Sequence, residues 1–141
     1  MVDISEKPDV GRRAKAAGEI MLSEETIGMI SSGTVEKGNV LATARVAAVL
    51  AVKKTPDTIP MCHQIPITSI DVDFEIKEET IEAFVEVRSV GKTGVEMEAL
   101  TGVSAALLTI WDMVKSAEKD SSGNYPYTAI RNIKVLEKVK G

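Results

Sequence analysis

Apolar residues recur along the chain with two different periods, and the switches between them divide it into strands and helices. Ile70, Val72, Phe74 and Ile76 alternate with Asp71, Asp73, Glu75 and Lys77, the period-two pattern of a strand with one buried face. After a turn at 78–80, Ile81, Ala83, Val85 and Val87 alternate with Glu82, Phe84, Glu86 and Arg88, so the two runs predict an antiparallel hairpin whose acidic face is solvated. Gly91, Lys92, Thr93 and Gly94 break the second strand. Thr93 and Glu96 have the spacing of a capping box, which predicts a long helix to about Lys119, stopped by the turn-forming run at 121–126. Residues 130–139 are β-branched and charged, as in an edge or terminal strand.

Upstream, residues 1–17 are mixed in charge, contain Pro8 and Gly11 and keep no steady period, so they read as a mobile arm carrying Arg12, Arg13 and Lys15. A short strand is expected at 18–22. Ser23 then has the character of an N-cap, Leu22 and Ile27 are placed as a hydrophobic staple, and Glu24 and Glu25 suit a first helical turn; the helix should end by Gly33. Asn39 can cap a second helix that runs to the break at Pro56 and Asp57. That helix is apolar almost all round, with Arg45 as the exception, and so requires burial on more than one side. Pro60 and Pro66 hold the segment between helix and hairpin irregular. The order approximates β-α-β-β-α-β, an α+β two-layer sandwich with an antiparallel sheet and helices on one face. Residues 18–141 are expected to form one domain. Two helices more apolar than one sheet face requires predict burial against other copies of the chain.

At 141 residues and 44% hydrophobic content the chain can bury a core but leaves no room for a second full domain. Two Phe, two Tyr and one Trp make the core aliphatic and offer little surface for stacking nucleobases, and a net charge of -4 argues further against nucleic acid as a partner. Any phosphate site must be a local cluster of cations. A single cysteine cannot form an intrachain disulfide and suits a reducing compartment. The N-terminus lacks the order of a secretory signal, and no apolar run approaches the roughly 20 residues that span a bilayer. The expected location is therefore cytoplasmic, with no membrane contact.

The only cysteine and only histidine, Cys62 and His63, are adjacent in the proline-stiffened loop. They are too few for zinc and a weak pair for thiol catalysis, so His63 is better used on a polar ligand. Lys37 and Gly38 precede a helix N-terminus, where freed amides and a lysine can hold an anion. Gly91 to Gly94 lack the order of a nucleotide-binding P-loop. Asp112 stands in a run otherwise suited to burial, with Lys115 one helical turn on; such a pair can be structural, or can do acid–base work if it lines a cleft. Glu96 is explained as a cap, which leaves Glu98 freer for a donor-rich ligand, while Met97 suits either the core or an apolar site wall. Lys134, Lys138 and Lys140 would share one face of a regular strand, most simply a solvated one.

Taken together, KGNVLATARVA, IPMCHQIP, GKTGVEMEALTGVSAALLTIWDMVK and the closing IKVLEK resemble the C protein of molybdenum cofactor biosynthesis, the cyclic pyranopterin monophosphate synthase family, over essentially the whole chain. The family commonly has Asp where Asn39 stands. The resemblance implies a ferredoxin-like fold and a phosphorus–oxygen lyase reaction. In it, guanosine triphosphate already bridged between C8 and the ribose C3′ becomes cyclic pyranopterin monophosphate and pyrophosphate. It places the catalytic roles on Asp112, Lys37 and Lys115, and substrate contacts on Met61, Cys62, His63, Met97, Glu98, Glu96, Lys138 and Arg12. It also implies a homohexamer, a trimer of dimers, with sites near subunit boundaries. No cofactor is required by this resemblance, and Mg2+ enters only as a companion of the triphosphate or pyrophosphate. A small-anion or nucleotide-binding module is the competing class.

Overall fold

The computed structural model describes all 141 residues. Four strands, β1 (Val10–Met21), β2 (Ile67–Ile76), β3 (Thr80–Gly91) and β4 (Ala129–Lys140), form one antiparallel sheet in the order β2-β3-β1-β4. Helices α1 (Glu24–Ser32), α2 (Val40–Lys53) and the short α3 (Thr55–Thr58) connect β1 to β2, and α4 (Glu96–Glu118) connects β3 to β4. This is the ferredoxin-like sandwich, with α4 lying over β1 and β3 and α2 beside it over β2.

The local rules hold at most element ends. Ser23 caps α1 by accepting from the Thr26 amide, Gly33 closes it in the left-handed conformation, and Asn39 caps α2 through the Ala42 amide. Arg45 escapes burial by lying over the Phe74 ring and donating to the Val72 carbonyl. The buried core is aliphatic and alanine-rich, without a Phe, Tyr or Trp in it.

Four expectations change. Residues 10–17, assigned to a mobile arm, form the first part of β1, which is central and pairs with both β3 and β4. Ala14, Ala16 and Gly18 alternate toward the helices in this strand, and residues this small give a weak period-two pattern. The Thr93 capping box does not form: Val95 occupies the cap position without a side-chain bond, and the Glu96 carboxylate is drawn to Lys138 instead. Lys134, Lys138 and Lys140 do not share a face, because the register skips Leu136 between Val135 and Glu137. This bulge puts Lys138 opposite Ala14 on the helix side and Lys134 opposite Ala17 on the other. Finally, α4 alone is long and apolar enough to cross a bilayer on composition. Half of that apolar window is buried against the sheet and α2.

Two glycines set how closely the layers approach. A Cβ on Gly18 would lie 2.8 Å from Ile133 and 2.9 Å from Val103, and one on Gly102 would lie 2.8 Å from Val52. Gly18→Ala is therefore expected to destabilise the fold by about 1–3 kcal/mol, the range for overpacking. An unchanged denaturation midpoint would show that β4 and α4 can yield there.

Candidate active site

Two groups of the proposed site residues lie at opposite ends of α4. At its C-terminal end, Asp112, Lys115 and Lys37 form one ion cluster. Lys115 Nζ donates to Asp112 Oδ1 at 2.9 Å, and Lys37 Nζ reaches the Asp112 backbone carbonyl at 2.9 Å and Oδ2 at 3.5 Å. The Lys37 contact brings the loop before α2 onto α4, which no sequence spacing announces. Asp112 is not buried as its neighbours suggested; its side chain is 60% exposed. The helical turn explains this, since Leu108, Asp112 and Lys115 face outward while Ile110, Met113 and Val114 face the core.

The Lys115 ammonium, through its hydrogen bond and then its charge, holds the Asp112 carboxyl below the ordinary aspartate range, with Lys37 adding to the effect. Asp112 in turn raises Lys115 above the ordinary lysine value. The free cluster is therefore one carboxylate between two ammonium groups, with one net positive charge. Beside it, Trp111 and Tyr125 meet edge to face at 5.2 Å and, with Leu108, line a depression of about 340 Å³.

At the N-terminal end of α4, Met61, Cys62, His63, Thr93, Glu96, Met97 and Glu98 border a cavity of about 150 Å³. His63 Nε2 lies 2.6 Å from the Val2 carbonyl; a carbonyl can only accept, so this nitrogen carries the proton. Residues 1 and 2 thus lie over the Met61 to His63 loop, a contact the sequence did not suggest. Lys138 Nζ bonds Glu96 Oε1 at 3.1 Å, while Glu96 Oε2 is buried without a partner. Gly94 makes room for that oxygen, since a Cβ there would sit on it. Arg12 reaches the Lys92 carbonyl at 3.3 Å and keeps a buried, unpartnered Nε. Arg13, its neighbour, points to the opposite face, paired with Glu137 at 2.7 Å and Glu86 at 3.4 Å. The alternation of β1 therefore separates two arginines that are adjacent in sequence.

Burial governs the chemistry of this cavity. Glu98 is only 2% exposed, and desolvation, reinforced by the charge of Glu96, pushes its carboxyl above the ordinary glutamate value. Burial also raises the Cys62 thiol, with Glu98 and Glu96 adding to it, which works against a thiolate nucleophile. On one helix, a rise of about 1.5 Å per residue sets positions 98 and 112 about 21 Å apart. The chain thus gathers Met61, Cys62, His63, Met97, Glu98 and Glu96 around one cavity, with Lys138 tied to it through Glu96, and Asp112, Lys37 and Lys115 into another region, while Arg12 lines a separate depression with Arg13, Thr68 and Arg88.

A profile of the MoaC family matches residues 1–141. The chain belongs to the MoaC family. A probable cyclic pyranopterin monophosphate synthase of Methanosarcina mazei is 80% identical over 141 residues, covering all of this chain and 90% of that protein. Proteins with the same description from Methanosarcina acetivorans and Pyrococcus abyssi are 77% and 61% identical, covering 100% and 99% of the chain and 89% and 88% of their own lengths. Within this MoaC chain the tryptophan, aspartate, methionine and lysine of the IWDMVK motif occupy one stretch of α4, and its GVEMEAL motif occupies the start of the same helix.

Two expectations follow from the electrostatics. In Asp112→Asn the Lys115 ammonium should titrate at lower pH than in the wild type, because its hydrogen-bonded counter-charge is gone; an unmoved Lys115 resonance in an NMR titration would remove the pairing. For Glu98 the folded pKa is raised, so the folded protein binds more protons than the unfolded chain above the ordinary glutamate value of 4.5. Stability is then lost as pH rises through the folded pKa. Glu98→Gln should flatten this decline in denaturation curves taken across the same range.

Proposed function

We propose that this chain is a cyclic pyranopterin monophosphate synthase of molybdenum cofactor biosynthesis. It is a phosphorus–oxygen lyase that takes the guanosine triphosphate bridged between C8 and the ribose C3′ to the cyclic pyranopterin and pyrophosphate. Family membership and the descriptions of its relatives support the reaction. The single observation that carries the catalytic assignment is the Lys37–Asp112–Lys115 cluster.

The reaction demands protons moved during ring opening and reclosure and positive charge where pyrophosphate departs. Lys115, held protonated by Asp112, is the general acid, and Lys37 is the second cation on the developing phosphate charge. Asp112 fixes both lysines, and Lys115 is reprotonated from solvent once its proton has gone to the substrate. His63, Met97 and Glu98 position the base and sugar, with Met61 and Cys62 completing that wall. Arg12 and Lys138 meet the triphosphate, and Glu96 holds Lys138 in place. An Mg2+ that accompanies the triphosphate would take phosphate and water ligands.

Catalytic groups must stand about 3–3.5 Å from the atoms they act on, yet one chain separates its two regions by about 21 Å. The arrangement we propose is a site completed by two copies, one supplying Asp112, Lys115 and Lys37 and the other the His63 cavity, within a cytoplasmic homohexamer built as a trimer of dimers. Exposed Val46 and Leu50 on α2 and Leu108 on α4 support association, since apolar groups of this size gain from being covered.

Purified protein supplied with the cyclised nucleotide is expected to release pyrophosphate and the pterin product together; tight binding with neither product would favour a nucleotide-binding module. Asp112→Asn and His63→Ala should each lower turnover by about 10²–10⁴-fold. Mixed oligomers of the two variants should regain part of the activity, because one kind of site then receives an intact half from each copy. Folded mixed oligomers that stay inactive would count against the shared site.

A further inference from the structure

Glu98 borders more than the cavity behind His63. A second and larger cavity, of about 420 Å³, lies on its other side, walled by Val52 and Lys53 of α2, Pro56 and Asp57 of α3, and Gln64 and Ile67. Glu98 and Ile65 line both cavities and so form the partition between them. The roles assigned above leave this rear cavity unused. Its volume is many times the roughly 30 Å³ share of one water, and Lys53, Asp57 and Gln64 give it polar walls. It can therefore hold water in contact with the partition.

We propose that Glu98 is a proton relay, passing a proton between the substrate in the front cavity and water in the rear one. The proposal rests on the synthase reading of the site. In the donating direction the Glu98 O–H bond breaks and the proton goes to a substrate atom. The carboxylate then takes a proton from a rear-cavity water, and the hydroxide formed leaves to bulk solvent. A receiving step runs the same path backwards. This route lets protons enter and leave while the substrate fills the front cavity.

Three observations favour Glu98 for this task. Its side chain is buried, which disfavours the charged form and holds a proton more tightly than an exposed glutamate does. No other side chain bonds its carboxyl, and its own backbone amide opposes the rise without cancelling it. The charged and titratable groups around it come from each neighbouring element: Glu96 on α4, Cys62 and His63 on the loop, Lys53 on α2 and Asp57 on α3. Of these, Glu96 adds to the effect of burial by opposing a second negative charge.

The test separates relay from contact. Glu98→Gln keeps the shape and removes the transferable proton, so kcat should fall by about 10²-fold or more while KM stays nearly constant. In Glu98→Ala, added formate should restore turnover saturably by entering through the rear cavity, and Glu98→Ala combined with Ile67→Phe, which fills that cavity, should lose most of the rescue. A change confined to KM in Glu98→Gln would make Glu98 a substrate contact only and overturn the relay. So would a folded Glu98→Ala protein that binds substrate but gains nothing from formate, or a rescue that survives Ile67→Phe. Absence of turnover in the wild-type protein would overturn the synthase reading and the relay with it, whereas any of the variant outcomes overturns the relay alone.

Discussion

Everything in this molecule hangs on how closely α4 lies on β1. Gly18 removes a side chain beneath Val103 and Leu107, Gly102 removes one against Val52 and Val85, and Ala14, Ala16, Ala44 and Ala48 keep the surrounding surfaces shallow. Small residues on both layers let a long helix settle into van der Waals contact with a sheet that has no aromatic residue in its core. The same contact fixes the axis of α4, which sets Glu96, Met97 and Glu98 at one end apart from Asp112 and Lys115 at the other.

A rigid helix serves as a spacer between two unlike environments. At one end, Asp112 and its two lysines stand in solvent, where charge is cheap and the carboxylate and ammonium groups hold each other ionised. At the other, Glu98 is buried and Cys62 half-buried, and desolvation pushes both toward their neutral forms. Pushing the proton affinities of titratable groups in opposite directions is how one protein supplies both acids and bases near neutral pH. Here the two conditions arise from distance along one element, with no special chemistry in either residue type.

The ends of α4 are tied down differently, and the difference matters for what each can do. Glu118 near the C-terminus accepts hydrogen bonds from Ser23, Thr26 and Thr128, clasping α4 to the start of α1 and of β4. The N-terminus has a single tie of this kind, from Glu96 to Lys138 of β4. Val95 offers no side-chain cap, and Glu96 leaves one oxygen unpartnered. A buried polar atom without a protein partner is uncommon in settled structure, so the free oxygen of Glu96 leaves this end less firmly held than the other.

The alternating residues of the hairpin, the caps Ser23 and Asn39, the helix stop at Gly33 and the long apolar period of α4 were legible in the sequence, because each depends on neighbours within a turn or a strand. So were the family motifs, and with them Asp112, Lys115 and the Cys62–His63 loop as places to look. The first half of β1 was not, since a strand of alanine, glycine and arginine shows its face only when both neighbours and the covering helix are in place. The bulge at Leu136, which sends Lys138 toward Glu96 and Lys134 away, arises from pairing with β1 and has no local mark. The same holds for Lys37 reaching Asp112, for Arg12 and Arg13 parting to opposite faces, and for the burial that sets Glu98 apart from Glu96. Local residue order determined the elements and the residue types available for chemistry; which of them meet, and which lose their water, was decided by contacts between residues far apart in the chain.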